Sequence, residues 1–208
     1  MFVNLFDNFK QTIYNVYIGY NLNKQIHFGG TETMLNIFVN TWGNYNENGA
    51  DGGEWITLPM DENELEETLE RIAEQMGDND PEWFVNDYEW TTDCGDLCEV
   101  GENSNIFNLN EQMQEFDTLD MWEQEEVCAA VEAFGYTFAE AMEKQQRGCF
   151  TYYSGFDMEQ LAYHLVEECY FTDDMPDIFR VYFDYEAFAR DLGFDGYTET
   201  TNGVILEG

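Results

Sequence analysis

Folding brings side chains together, and a chain whose charges mostly share one sign resists that at every step. Here 44 Asp and Glu stand against 7 Lys and Arg in 208 residues, a formal charge of -37. Such an imbalance ordinarily accompanies disorder, because a chain poor in apolar residues buries too little surface to offset the entropy lost on folding. This chain is not poor in them. Its hydrophobic fraction is 44% and its aromatic fraction 17%, with 17 Phe, 13 Tyr and 5 Trp. The expectation is a folded but self-repelling protein of one to three small domains. A sphere would crowd the like charges, so an elongated arrangement is favoured.

The charge is unevenly placed. Residues 1–33 hold Asp7 and Glu32 against Lys10 and Lys24, a neutral leader rich in Asn and aromatics. The whole imbalance therefore falls on residues 34–208, with 42 acids and five bases. Its densest point is MDENELEETLER, residues 60–71, where six of twelve residues are acids. Leu65, Leu69 and Ile72 recur there at helical spacing, so the stretch reads as a helix over 61–76 with one anionic face. Asp61 is its N-cap, and Glu64 three residues on suggests a variant capping box.

Around this helix, 34–92 reads as an α+β unit. Strands are predicted at 35–42, 54–59 and 83–90, with an Asn- and Gly-rich turn over 43–53. The pattern weakens between 92 and 108, a linker. Helical periodicity then takes over from 109 to 146: Leu109, Met113 and Phe116 line one face, Val127, Val131 and Phe134 a second, Phe138 and Met142 a third, as in a small helical bundle. From 148 the signal is mixed again. CFTYYSGF reads as a strand, and Asp157 caps a helix with Met158, Leu161, Leu165 and Cys169 inward. Pro176 opens a short helix and Asp184 another, on which Tyr185, Phe188 and Leu192 share a face. YTETTNGVILEG suggests paired strands about an Asn-Gly turn.

The bases of the body are Arg71, Lys144, Arg147, Arg180 and Arg190. Four of them follow a Glu by four residues: Glu67–Arg71, Glu140–Lys144, Glu143–Arg147 and Glu186–Arg190, the favourable order for helical ion pairs. The spacing predicts that positive charge is spent locally and forms no basic patch, which argues against nucleic acid and anionic membranes as partners. No apolar run reaches membrane-spanning length, and the N-terminus is a poor secretory signal. The five cysteines, Cys94, Cys98, Cys128, Cys149 and Cys169, are odd in number and share no repeated spacing, so they read as free thiols in a reducing cytoplasm. His27 and His164 are not at zinc-ligand spacing from them. DNDPE (78–82) lacks the glycine of a calcium loop. Trp42, Trp55, Trp83 and Trp90 read as core residues. No nucleotide, metalloprotease or nucleophile motif occurs. The residues point to no enzyme and no cofactor; a generic acidic protein that binds basic proteins, as a chaperone does, or cations is the competing class.

MPDIFRVYFDYEAFARDLGFDGYTETTNG (175–203) closely resembles the corresponding region of ArdA-type antirestriction proteins, above all in YFDYEAFARDL (182–192). HLVEECYFTDDMPD (164–177) is similar to the family's antirestriction segment, an acidic helix followed by a Pro-containing turn. IFVNTWGNYNENGADGGEWITLP (37–59) resembles its opening, and FVNDYEW (84–90) its short acidic, aromatic segment. The resemblance runs from about Met34 to Gly208 and does not require the leader. It implies an elongated α+β protein of three small domains in a row with a strongly acidic surface: an α+β domain over 34–103, a helical domain over 104–147 and an α+β dimerisation domain over 148–208. It further implies a homodimer that mimics B-form DNA, occupies the DNA groove of type I restriction–modification enzymes through their specificity and methyltransferase subunits, and blocks restriction. On that reading the false phosphates include Asp61, Glu62, Glu64, Glu66, Glu67, Glu70, Glu111, Glu115, Asp120, Glu123, Glu125, Glu126, Glu167, Glu168, Asp173, Asp174 and Asp177. The dimer interface would use Tyr152, Tyr153 and Tyr185.

Overall fold

Strand β1 (Leu35–Thr41) is the first element of the computed structural model, which describes residues 34–92, 95–171 and 175–208. The neutral leader, and every expectation placed on it, lies outside those residues. After β1 come α1 (Trp42–Asn48), β2 (Glu54–Leu58), α2 (Glu62–Met76) and β3 (Trp83–Trp90). β1 is the middle strand of an antiparallel sheet in the order β2-β1-β3. Its alternation decides which face is dry: Leu35, Ile37 and Val39 are fully buried, and Ile37 pairs with Ile56 on one side and Tyr88 on the other. The apolar stripe of α2 (Leu65, Leu69 and Ile72) enters the same core.

Helices α3 (Ile106–Asp117), α4 (Met121–Phe134) and α5 (Phe138–Gln146) follow. Asn105 caps α3, while Asp120 with Glu123 and Thr137 with Glu140 close complete capping boxes on α4 and α5. The coil before α3 is docked, since Leu97 and Val100 are buried in the core that joins the first sheet to these helices. One side chain ties this junction. Asn110, 3% exposed, accepts from the Met60 N–H and donates to the Met60 carbonyl, both at 2.9 Å, and Gln114 donates to the same carbonyl at 2.7 Å.

The remainder is β4 (Phe150–Ser154), α6 (Met158–Leu165) running into a π turn (Val166–Tyr170), α7 (Asp177–Tyr182), α8 (Tyr185–Phe194), β5 (Thr198–Thr200) and β6 (Gly203–Glu207). The second sheet has the order β4-β6-β5, all antiparallel. β6 is buried on both faces. Val204 packs with Leu161 and Ala162 of α6 and Ala189 and Leu192 of α8, while Ile205 belongs to the larger core. Gly203 must be glycine, because a Cβ there would run into the Tyr153 carbonyl and come within 2.9 Å of the Tyr152 ring. Among the described residues the fold is thus mixed α+β, with two small antiparallel sheets and eight α-helices, none long and apolar enough to cross a membrane.

Several expectations need correction. The turn over 43–53 begins instead as helix α1. Thr41 Oγ1 accepts from the Asn44 N–H, and Asn40, Asn44 and Asn48 form a ladder at i,i+4 spacing with bonds of 2.8 and 3.0 Å. These side-chain bonds offset the poor helix propensity of Asn. Gly49, at φ 68, ends the helix in a conformation that suits glycine. Asp61 caps α2 by accepting from the Asn63 N–H, a single bond in place of the box. Cys169 is exposed, not inward, because the π turn shifts the helical phase and buries Val166 and Glu167 instead. Trp55 is 48% exposed on edge strand β2, against Phe38 at 5.5 Å. The hairpin turns on Thr201-Asn202, with Gly203 inside the strand. Cys98, Cys149 and Cys169 are free, but Cys128 is disulfide-bonded; an odd cysteine count excludes complete pairing and not a single bridge.

Asn110→Ala leaves the half-buried Met60 N–H without this partner. We expect a loss of about 1–3 kcal/mol of stability, read as a lower urea midpoint at unchanged slope. An unchanged midpoint would show that the junction does not depend on Asn110.

Candidate functional site

Five bases must answer 42 acids, and their placement decides what surface is left. Each is engaged, but only one in the predicted way. Arg147 pairs with Glu143 within α5, at 3.4 Å. Arg71 reaches from α2 to β2 and holds Glu54 through two bonds of 2.6 and 2.9 Å. Lys144 joins α5 to β6 through Glu207 at 2.5 Å, and Tyr136 donates to the same carboxylate at 2.6 Å. Arg180 of α7 pairs with Glu167 of the π turn, and Arg190 pairs with Asp191. The i,i+4 partners Glu67 and Glu186 are bypassed, and Glu140 is held by Thr137 in the α5 cap. Exposed i,i+4 pairs are worth only a few tenths of a kcal/mol, so a better-placed carboxylate across the fold wins.

The candidate acids divide by exposure. Asp61, Glu62, Glu64, Glu66, Glu67 and Glu70 are all exposed on or beside α2. Glu62, Glu66 and Glu70 recur at i,i+4, about 6 Å apart along the axis, in an exposed row that flanks the buried stripe of Leu65 and Leu69. Glu111 and Glu115 repeat this spacing on α3 and are exposed; so are Asp120, Glu168 and Asp177. Asp173 and Asp174 lie outside the described residues.

Four candidates are not free surface charge, and three of these are on α4. Glu123 is half-buried and its carboxylate closes the cap, accepting from the Asp120 N–H at 2.9 Å. Glu125 is 8% exposed and accepts from Ser154 Oγ of β4 at 2.5 Å. Glu126 is half-buried, and burial pushes its carboxyl above the usual carboxylate range, with a bond from Gln145 partly opposing. Glu132, further along α4, accepts from both the N–H and the hydroxyl of Thr201 at 2.9 Å. α4 therefore commits its acids to its own cap, to α5 and to the second sheet. The sequence carries the signal: Val127, Cys128, Ala129 and Ala130 are four consecutive buried residues, the mark of a helix covered all round.

Glu167 is the fourth, also 8% exposed. It accepts from Arg180 and, at 2.9 Å, from the Tyr185 hydroxyl. Arg180 also lies over the Phe171 ring at 5.1 Å. Removing one partner would leave a buried charge uncompensated, at a cost of about 3–5 kcal/mol. Burial, and then the bond to Glu167, push the Tyr185 hydroxyl well above the ordinary phenol range. Glu125 and Glu167 are therefore corrections to the candidate surface: they are structural carboxylates.

The three tyrosines are each half-buried within the chain. Tyr152 packs against the larger core, Tyr153 lies 6.3 Å from Tyr197, and Tyr185 lies 5.0 Å from Tyr163 and 4.9 Å from Phe183. Large exposed apolar side chains concentrate elsewhere, at Tyr170, Ile178, Phe179, Val181, Tyr182 and Phe194. The candidate acids left out Asp87 and Glu89, which are exposed on the predicted strand β3, an edge of the first sheet; acids there both extend the anionic surface and discourage edge-to-edge pairing. An open cleft beside α6 and α8 is lined by Asp157, Glu159, Glu186, Glu199 and Arg190, and continues the anionic field. Among the described residues, no group of three or more His, Cys, Asp or Glu is placed to hold a metal ion.

A family model described as antirestriction protein (ArdA) matches residues 37–206. The chain belongs to the ArdA antirestriction family. No curated protein matches it. The matched span begins inside β1 and ends inside β6, so it takes in both sheets and all eight described helices. Membership makes restriction systems the process on which this ArdA protein acts.

Acid tests the division of labour among these carboxylates. Hydrogen bonds from Arg71, Thr137 and Lys144 hold Glu54, Glu140 and Glu207, respectively, below the usual range. A depressed folded-state value contributes stability above the unfolded value, and that stability is lost as pH falls through the folded one. Glu126 works oppositely, because its ionisation opposes folding until pH falls through its raised value. Self-repulsion also fades as acids protonate. The thermal midpoint should therefore rise from pH 8 to about pH 5 and fall below about pH 4, where the anchoring carboxylates protonate. Glu207→Gln should lower the midpoint at pH 7 and flatten the acid-side fall. A midpoint that declines steadily from pH 8 to pH 5 would contradict this division.

Proposed function

We propose that the protein is an antirestriction protein that mimics B-form DNA and is not an enzyme. In this reading it occupies the DNA-binding groove of type I restriction–modification enzymes, contacting their specificity and methyltransferase subunits. The observation that carries the reading is the pairing of all five bases of the body with carboxylates, which leaves the exposed acids of α2 and α3 facing water unneutralised.

Double-stranded DNA carries one charge per ~1.7 Å of axis, so 37 net charges correspond to roughly 63 Å, or about 18 base pairs. An elongated row of three small domains (34–103, 104–147 and 148–208) would spread the carboxylates over such a length. Two copies would cover on the order of 37 base pairs. A protein that reads a sequence uses phosphate contacts for position and base edges for identity. Carboxylates can replace the first and supply none of the second. The inhibitor would therefore act on enzymes of different sequence preference, and the gain on binding is the release of counterions from both surfaces.

Two experiments bear on this reading. Purified protein should capture restriction–modification subunits, and duplex DNA should compete. The affinity should fall steeply with salt, with a log–log slope of several units at about 0.9 per phosphate-like contact; an affinity indifferent to salt would remove the electrostatic account. The second concerns redundancy. Glu62→Gln, Glu66→Gln and Glu70→Gln together should weaken inhibition without abolishing it, since each exposed contact is worth roughly 0.2–1 kcal/mol. Complete loss from any one of them would reveal a single specific site.

A further inference from the structure

The first sheet is dry on one face only. Leu35, Ile37 and Val39 of β1 and Ile56 and Leu58 of β2 share a core with the stripe of α2. The residues between them point the other way, because side chains alternate along a strand. Cross-strand pairing lays these out in two rows on the outer face: Trp55–Phe38–Asp87 and Thr57–Asn36–Glu89. In the second row the Thr57 hydroxyl donates to Asn36 at 2.8 Å. In the first row Phe38 is a half-buried floor. A Cβ at Gly53 would come within 2.5 Å of its ring, so bare backbone closes one side. The Trp55 ring stands 5.5 Å away, inclined at 58°. Trp55 is 48% exposed, and Asp87 and Glu89 are exposed. A strand spacing of about 4.8 Å puts the Trp55 and Asp87 backbones roughly 10 Å apart, with Phe38 between them. Asp87 accepts from the Tyr88 N–H at 2.9 Å, and among the described residues every base is paired elsewhere.

We propose that this outer face seats an arginine side chain of a basic protein partner, its guanidinium stacked on Phe38 and Trp55 and hydrogen-bonded to Asp87. The fold uses the same chemistry twice internally. Arg180 lies 5.1 Å over the Phe171 ring while paired with Glu167, and Lys144 lies 4.8 Å over the Tyr136 ring while paired with Glu207. In both, one cation is shared between an aromatic face and a carboxylate. The outer face of the sheet has the rings and the carboxylate, and the cation is left for a partner to supply. Arginine suits it better than lysine. A planar guanidinium stacks on a ring and keeps its edge for a carboxylate, whereas an ammonium is a compact, strongly hydrated charge. Charge also selects the occupant. A second copy of this chain would bring its own acids against Asp87 and Glu89. The α2 carboxylates lie beyond the other face of the sheet, so this is a separate contact region. That the arginine belongs to a restriction–modification subunit rests on the function proposed above; the seat itself does not.

Two measurements keep the seat and the mimic reading apart. The first needs no restriction enzyme. The full chain, labelled with nitrogen-15, is titrated with a tetra-arginine peptide and separately with a tetra-lysine peptide, following the indole N–H resonances. The Trp55 signal, assigned by its loss in Trp55→Leu, should shift and saturate with the arginine peptide at a concentration several-fold below that needed with lysine. Trp122, exposed on α4, should move less. Asp87→Asn should weaken the arginine peptide about fivefold or more, with an unchanged circular dichroism spectrum. A Trp55 signal that stays still, that moves no more than that of Trp122, or that answers lysine as well as arginine overturns the seat. So does a self-association of the wild type that Trp55→Leu abolishes, which would give the face to a second copy. The second measurement is capture of restriction–modification subunits. Trp55→Leu should weaken it about fivefold or more at an unchanged salt slope, because an aromatic contact is lost and no carboxylate is. Capture that Trp55→Leu leaves intact overturns the use of the seat by those subunits. An arginine-specific shift of Trp55 in a protein that captures no such subunit would uphold the seat and refute the mimic reading.

Discussion

Self-repulsion is the constraint that the rest of this structure answers to. With 42 acids and five bases in the body of the chain, no local neutralisation of the surface is possible. Where the few cations go therefore matters more than in an ordinary protein. Three of them bridge elements distant in sequence: Arg71 to Glu54 across 17 residues, Lys144 to Glu207 across 63, and Arg180 to Glu167 across 13. Placed on helix surfaces, the same charges would return a few tenths of a kcal/mol each. Placed between elements, they hold α2 to the first sheet, α5 to the second and α7 to the π turn.

Carboxylates accordingly have two trades. Some are framework: Glu123 and Glu140 close helix caps, Glu125 and Glu132 fasten α4 to β4 and to the β5–β6 turn, and Glu167 fastens α7. Apart from Glu167, which takes Arg180, these carboxylates are held by neutral N–H and O–H donors and use no scarce cation. Others, on α2 and α3, have the solvent as their main environment and carry the field. The two sets cannot be separated by residue type or by local density. Glu125 and Glu126 sit in as acidic a run as Glu66 and Glu67.

That is also where the sequence was legible and where it was not. The apolar period of α2, the strand at 83–90, the Asp157 and Asp184 caps and the C-terminal hairpin follow from spacings of two to four residues, and the structure has them. What depended on distant partners was hidden. The helical pairs predicted for Arg71 and Lys144 lost to Glu54 and Glu207, which no local rule could rank. α1 was concealed because an Asn- and Gly-rich stretch satisfies turn rules and helix formation equally until the Asn40–Asn44–Asn48 ladder is seen. Cys169 left the inward face because a π turn moved the phase after Leu165. The engagement of the α4 acids was the avoidable miss, since its run of Val127 to Ala130 already implied cover on all sides.

A surface this anionic weakens its own fold. Every unneutralised carboxylate raises the surface field and, with it, the repulsion that folding must overcome. The chain meets this by separation. Apolar material is gathered into a core that runs from the first sheet through α3–α5 to β6, with a second small cluster under α6 and α8. The acids on α2 and α3 are exposed on helices whose inner faces are dry. Stability then rests on the buried side and on a handful of directed carboxylate bonds, and the exposed side is left anionic. The one stretch that follows neither rule, α7 with its uncharged and unburied face, is held on by a cation and carboxylate removed from both ledgers.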